Sequence, residues 1–209
     1  MKKILITGGG AAGLTAAGFA AKRGLDVTVL ERNSRPARKL MITGKGRCNV
    51  TNACTLINEL MDAVPVNNRF LYGAFSRFMP TDTMDLFEEM GVGLKIERGS
   101  RVFPESDKAV DIVDALVKFA KTGGAKIRTD TRVSSLIIED GKVKGGVTEN
   151  GEQIFADAVI IATGGKSYPQ TGSTGDGYTL AESAGHSITT PKGSLVPLET
   201  EDTWCAACT

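Results

Sequence analysis

The chain has a single histidine, His186, a single tryptophan and four cysteines, and these shortages remove whole classes of chemistry. One imidazole cannot build a histidine-based dyad, triad or metal cluster. Its place after Gly185 reads as a helix end or a strand start. The cysteines are Cys48, Cys54, Cys205 and Cys208. They are enough for two disulfides, but a cytosolic chain of this size does not need them. Cys205-Ala206-Ala207-Cys208 has redox or zinc-like spacing without a second matched pair, so no metal site is expected. No pair of carboxylates is placed for acid–base work, and no catalytic residue is named. Charge is balanced as well: a net +1 gives no electrostatic footprint for nucleic acid, and basic residues are dispersed apart from Arg32 to Lys39. No apolar run approaches a membrane span, and the one after Met1-Lys2-Lys3 is too short for a signal-peptide core. A cytoplasmic protein without membrane or nucleic-acid contacts is the expectation, and nothing in the sequence indicates an oligomeric state.

What the chain has in quantity is glycine, 25 in 209 residues, and the glycines are placed. Ile4-Leu5-Ile6-Thr7 is a short β-branched and apolar run suited to a strand buried on both faces. It runs into Gly8-Gly9-Gly10-Ala11-Ala12-Gly13, which opens a helical pattern. Gly8 permits the tight turn, and Gly10 removes the Cβ that would keep a pyrophosphate from the backbone. Gly13 lets the helix lie close on the strand. The helix N-terminus then faces the phosphates with free N–H groups and the positive end of its dipole. A second apolar run, Val27-Thr28-Val29-Leu30, ends in Glu31, whose carboxylate suits the ribose hydroxyls of an adenosine. Strand, glycine turn, helix, strand and acid in register form a dinucleotide-binding fingerprint of the kind that favours FAD or NAD over NADP. Arg32, next to the acid, stacks on or borders the adenine, or is simply a solvated surface arginine.

Further along, residues up to Asn52 form a glycine-punctuated loop. From Leu56 to Met90 the pattern is helical, with Leu71, Phe75 and Phe78 on one face, ending at Gly91. Leu94 to Glu97 and Arg101 to Phe103 read as short strands. An amphipathic helix follows, with Val110, Val113, Leu116, Val117 and Ala120 as its buried stripe, and Lys126 to Thr129 resumes as strand. Residues 132–155 read as an antiparallel meander with two-residue turns at Asp140-Gly141 and Asn150-Gly151. Ala158 to Ala162 reads as a fully buried parallel strand ending in Thr163-Gly164-Gly165, and Asp176 as the N-cap of a helix running to about Ala184.

Gly13-xxx-Ala17-x6-Gly24 completes the FAD variant of the fingerprint. Gly44-Lys45-Gly46-Arg47-Cys48-Asn49-Val50-Thr51-Asn52 resembles the GxGRCNxTN loop of the BaiN/YhiN-like, or aminoacetone-oxidase-like, bacterial NAD(P)/FAD-dependent oxidoreductases. Arg101-Val102-Phe103-Pro104, Ala162-Thr163-Gly164-Gly165, Thr174-Gly175-Asp176-Gly177-Tyr178 and Leu195-Val196-Pro197-Leu198 agree with it. The resemblance implies an α/β fold: a Rossmann-type FAD-binding domain of the glutathione-reductase structural type, a mainly parallel sheet plus a small antiparallel meander. It covers the N-terminal portion of such proteins, with the FAD-binding domain over 1–195 and the start of an inserted substrate-side domain at 196–209. A return segment that finishes the FAD domain is expected beyond Thr209.

By the same resemblance the cofactor is FAD, the electron donor NADH or NADPH, and the substrate a small organic molecule. Gly8, Gly10, Ala11, Ala12 and Gly13 are expected to hold the pyrophosphate and Glu31 the ribose. Lys39 and Leu40 lie near the cofactor, and Gly46, Arg47, Cys48 and Asn49 run beside the flavin ring. Val133 offers its backbone to the adenine edge, while Thr163 and Gly164 end a strand where the ligand must pass. Two alternatives stay open at this level: a catalytically silent nucleotide-binding fragment and an NAD-only binding module. A flavin-dependent RNA-modifying enzyme shares the fingerprint, but the neutral charge and 6% aromatic content leave no basic, aromatic-rich patch for it.

Overall fold

In the computed structural model, which describes residues 1–193 and Glu201, the chain builds a parallel sheet with a helical layer on one face and a meander on the other. The stretch expected to open an inserted domain, Glu201 apart, lies outside the described residues, as do Cys205 and Cys208. Strand β1 (Lys3–Thr7) lies between β2 (Asp26–Leu30) and β10 (Ala158–Ile161), and β6 (Lys126–Arg128) flanks β2, all parallel. Helix α1 (Ala11–Lys22) is the crossover between β1 and β2.

Burial on both faces of β1 follows its alternation. Ile6 joins Val27 and Val29 under α1 and α5 (Ala109–Thr122), while Leu5 and Leu30 face the opposite way, toward Val133 and Leu180. The second core is covered by the antiparallel meander β7 (Val133–Glu139), β8 (Lys142–Thr148) and β9 (Gln153–Phe155), and by α6 (Asp176–Ser183). A third sheet, β3 (Thr51–Asn52), β5 (Arg101–Pro104) and β4 (Leu94–Glu97), is antiparallel and packs on α4 (Pro80–Glu89), while α2 (Ile57–Asp62) and α3 (Asn68–Phe75) pack on each other. No helix among the described residues is long and apolar enough to cross a membrane.

Several expectations need correction. Ala158 to Ile161 is parallel as expected but not buried: Ile160 and Ile161 are each 37% exposed. The strand pairs with β1 along one side and has no strand on its other side among the described residues. The buried residues of α5 are Ala109, Ile112, Val113, Ala115, Leu116, Phe119 and Ala120, with Val110 on the exposed side. The 3.6-residue period admits a neighbouring phase, and contact with α1 selects this one. Helix α3 buries no residue fully, and Phe78 is exposed, its ring edge-on to Phe19.

The first meander turn is the two-residue type expected, with positive φ at Asp140 and Gly141. At the second, Gly151 N–H donates to Thr148 O at 3.0 Å and Thr148 N–H to Glu152 O at 2.9 Å. That makes a three-residue loop with a bulge at Gly151 rather than a two-residue turn. Finally, Asp176 is the first residue of α6, not its cap; Gly175 takes that position, and no side chain caps the helix. His186 closes the end of α6, its N–H donating to Ala181 O.

Candidate functional site

The carboxyl ends of β1, β2 and β10 open onto one cavity of about 690 Å³. Ligands of open parallel sheets bind at such an edge, where the crossovers depart to opposite sides. Its floor is the glycine turn. Gly8 has φ +101°, and a Cβ there would stand 2.5 Å from Ala162 O. A Cβ on Gly13 would reach 1.9 Å from Gly8 O, so this glycine lets the first turn of α1 settle on the turn beneath it. Gly10 differs from both. A Cβ there would meet nothing within 4 Å, because its open side faces the cavity. The first intrahelical bond of α1 runs from Leu14 N–H to Gly10 O, leaving the earlier first-turn N–H groups free. No acidic side chain occupies that turn. The result is a cradle of backbone donors at the positive end of a helix, with room above it for an anion.

Glu31 forms the adjoining wall and is buried. Its Oε2 accepts the Gly9 N–H at 2.8 Å, and its Oε1 accepts the Asn33 N–H at 2.8 Å and Asn33 Nδ2 at 2.6 Å. Asn33 Nδ2 also reaches Thr171 O across the cavity at 3.2 Å. Arg32 is partly exposed and engaged within the fold: its Nη1 donates to Thr174 Oγ1 at 2.7 Å and pairs with Asp176 at 3.3 Å. Asp176 is also gripped by Arg132, through Nε at 2.7 Å and Nη2 at 3.0 Å. The Arg132 guanidinium, helped by Thr174, holds the Asp176 carboxyl below its ordinary range against an opposing burial effect. Arg132 is correspondingly raised by Asp176 and by Glu149.

Lys39 reaches over the cavity to the opposite loop, donating from Nζ to Ser167 O at 2.7 Å, and burial lowers its pKa. Leu40, Val133, Thr163 and Gly164 complete the walls. The Thr163 Oγ1 is buried without a hydrogen-bond partner among the described residues, an unmet polar group at the cavity's edge. These features fit the adenosine and pyrophosphate of FAD: an open glycine cradle, an acid beside it and backbone at Val133.

Of the residues the sequence singles out, Gly8, Gly10, Ala11, Ala12, Glu31, Arg32, Lys39, Leu40, Val133, Thr163 and Gly164 line this cavity, while Gly13 packs beneath it. Gly46, Arg47, Cys48 and Asn49 do not line it. Arg47 lies 4.0 Å over the Phe103 ring and pairs with Glu97 at 2.8 Å and Asp107 at 3.1 Å. Cys48 is buried, which pushes its thiol pKa up, and it has φ +63°. The Asn49 amide nitrogen, in the orientation its neighbours require, donates to Thr51 O and Val102 O. This loop reaches the cavity only through Thr43, a lining residue whose carbonyl accepts the Cys48 N–H at 3.0 Å. Sequence reasoning missed Asn33 and Arg132. The signal for Asn33 was its place two residues after the acid; none was available for Arg132, whose partner lies 44 residues away.

Comparison with known proteins agrees with this architecture. Residues 2–201 match the family described as HI0933-like protein Rossmann domain. The chain is 36% identical over 205 residues to the 3-dehydro-bile acid delta(4,6)-reductase of Clostridium scindens, covering 95% of this chain and 48% of that protein. It is 32% identical over 195 residues to the ribosomal RNA dihydrouridine synthase of Escherichia coli, covering 92% of this chain and 47% of that protein. It thus spans about half the length of the relatives it matches. Among solved structures, the Sdh1 complex of Mycobacterium smegmatis superposes with a TM-score of 0.66 at 21% identity, covering 88% of this chain and 39% of that one. At that identity the likeness is one of fold.

Proposed function

The chain belongs to the HI0933-like Rossmann-domain family of FAD-dependent oxidoreductases, and from that premise we propose that its cavity holds FAD for the reduction of a carbon–carbon double bond conjugated with a carbonyl. The observation that carries the site is Gly10, the one glycine of the turn whose missing Cβ opens onto the cavity, at the unneutralised start of α1. In this reading the backbone of Gly10, Ala11 and Ala12 holds the pyrophosphate, Glu31 the ribose diol and the Val133 backbone the adenine edge. Lys39, Leu40, Thr163 and Gly164 bound the part of the cavity toward the flavin. Arg47, Cys48 and Asn49 act on it through Thr43. FAD, once reduced by NADH or NADPH, would supply the hydride, while the chain would orient it and tune it by hydrogen bonding.

Support for the reaction class comes from what the relatives share. A delta(4,6)-reductase of a 3-dehydro-bile acid and a dihydrouridine synthase both saturate carbon–carbon bonds conjugated with a carbonyl. Within the family we group the chain with the BaiN/YhiN-like flavoproteins on its Gly44 to Asn52 loop, with NADH or NADPH as donor and a small organic enone as substrate. A second reading, uridine in ribosomal RNA, rests on the relatives of that name; the net charge of +1 favours the small molecule.

The test is an absorption spectrum of the purified chain after excess FAD has been added and unbound cofactor removed. Retained oxidised-flavin bands, bleached anaerobically by NADH or NADPH and restored by a steroidal enone, are expected. Restoration by uridine-containing ribosomal RNA alone would shift the assignment to the second reading. Absence of any retained flavin would show that residues 1–209 do not form a competent FAD site on their own.

A further inference from the structure

Arg32, Arg38 and Arg132 line the cavity, and two of them, Arg32 and Arg132, share one acidic partner. Arg32, from the loop after β2, and Arg132, from the entry to β7, converge on one carboxylate, Asp176 at the first position of α6. Arg132 grips it with two nitrogens, at 2.7 and 3.0 Å, and its remaining Nη1 pairs with Glu149. Arg32 reaches Asp176 at 3.3 Å and Thr174 at 2.7 Å, and Thr174 in turn donates to Asp176 at 2.7 Å. Arg32, Arg132 and Asp176 line the cavity beside Glu31.

Resting on the proposed dinucleotide site, we infer that Asp176 is a specificity-determining positioning residue, which holds Arg32 and Arg132 so that neither is available to an anion on the ribose. A phosphate on the ribose 2′-oxygen needs a guanidinium fork close by, since a bidentate charge-assisted pair is what recognises it. Here the Arg32 and Arg132 forks are already occupied by a carboxylate, and Glu31 adds its own negative charge. The pocket therefore takes adenosine diphosphates with a free ribose diol and rejects their 2′-phosphorylated counterparts. Asp176 acts through the arginines, and its removal releases Arg32 first, because Arg132 keeps Glu149.

The experiment is calorimetric titration of the full chain with ADP and with 2′-phospho-ADP, in wild type and variants. Wild type is expected to bind ADP at least about tenfold more tightly than 2′-phospho-ADP. Asp176→Asn is expected to narrow that ratio by about tenfold, the effect of freeing one charged partner at a partly exposed site. Asp176→Glu should preserve the ratio. Adding Arg32→Gln to Asp176→Asn should restore it, a readout that general loosening of the fold would not move. An Asp176→Asn ratio equal to wild type, with ADP binding intact, overturns the inference and leaves the site standing. Failure of wild type to bind ADP overturns both. Should Asp176→Asn not fold, Arg32→Gln alone decides: 2′-phospho-ADP affinity is expected to be unchanged, and a fall would show that Arg32 was available after all.

Discussion

Glu31 Oε2 accepts the Gly9 N–H at 2.8 Å, so the acid that ends β2 also pins the glycine turn that begins α1. The carboxylate has a structural duty within the fold, since its other oxygen holds Asn33. Two consequences separate. Glu31→Ala strands the buried Gly9 N–H and is expected to destabilise the fold by about 2 kcal/mol, the cost of losing hydrogen bonds to a charged group. Glu31→Arg adds a cation where the ribose is proposed to sit and is expected to abolish FAD retention. Thermal melts and flavin titration check the two, and unchanged FAD affinity in Glu31→Arg would remove the ribose role.

Gly10 and Gly13 lie three residues apart and predict opposite phenotypes. Gly13→Ala drives a methyl to 1.9 Å from Gly8 O, so the turn or the helix must shift. A loss of about 3 kcal/mol or more is expected, as for backbone that cannot relax. Gly10→Ala meets no protein atom within 4 Å and has an ordinary φ of −82°, so its melting temperature should match wild type. Its methyl nevertheless enters the space proposed for the pyrophosphate, and FAD affinity should fall at least about tenfold, a 1.4 kcal/mol effect. A Gly10→Ala chain that binds FAD normally would put the pyrophosphate elsewhere.

This contrast also shows what the sequence could reveal. The glycine turn, Glu31 and the β1–α1–β2 unit are local, set by residues within about one crossover of each other, and periodicity plus spacing finds them. The parts that escaped are those fixed by distant partners. Asp176 reads as a helix cap because Asp before a helical run usually is one. In the fold, Arg132 captures it from 44 residues away. The partners of Arg47, which are Phe103, Glu97 and Asp107, likewise come from β4, β5 and the turn after β5, beyond what a local pattern encodes. The apolar run at Ala158 is strand by composition, yet its exposure depends on the number of neighbouring strands, which no local pattern encodes.

Asp176 gives the site a pH signature with a definite sign. Its native carboxyl lies below the ordinary value of 3.8 because Arg132 hydrogen-bonds the charged form. The folded state thus binds its proton less readily than the unfolded chain. The stabilisation is complete above the ordinary value and is lost as the pH falls through the lower native one. Asp176→Asn is therefore expected to be less stable than wild type at neutral pH, with the gap closing as urea melts are taken down below about pH 3. A gap that stays constant over that range would mean that the carboxylate's charge contributes nothing.

The last prediction concerns the platform beneath the site. Helix α1 must present its N-terminus to the cavity at a fixed height, and its packing on α5 sets that height. At Gly18 a Cβ would come 2.1 Å from the Phe119 ring, which also lies edge-on to Phe19 at 5.3 Å between centroids. Gly18→Ala thus overpacks the helix contact and is expected to cost about 1–3 kcal/mol, in spite of alanine's better helix propensity. Because the strain sits between α1 and one side chain, Phe119→Leu should recover part of the loss when combined with Gly18→Ala, while being destabilising alone. Chemical denaturation of the four chains in a double-mutant cycle measures the coupling. Additive losses would show that Gly18 and Phe119 do not jointly set the position of α1. If they do, the recovered double variant should regain FAD retention together with its stability.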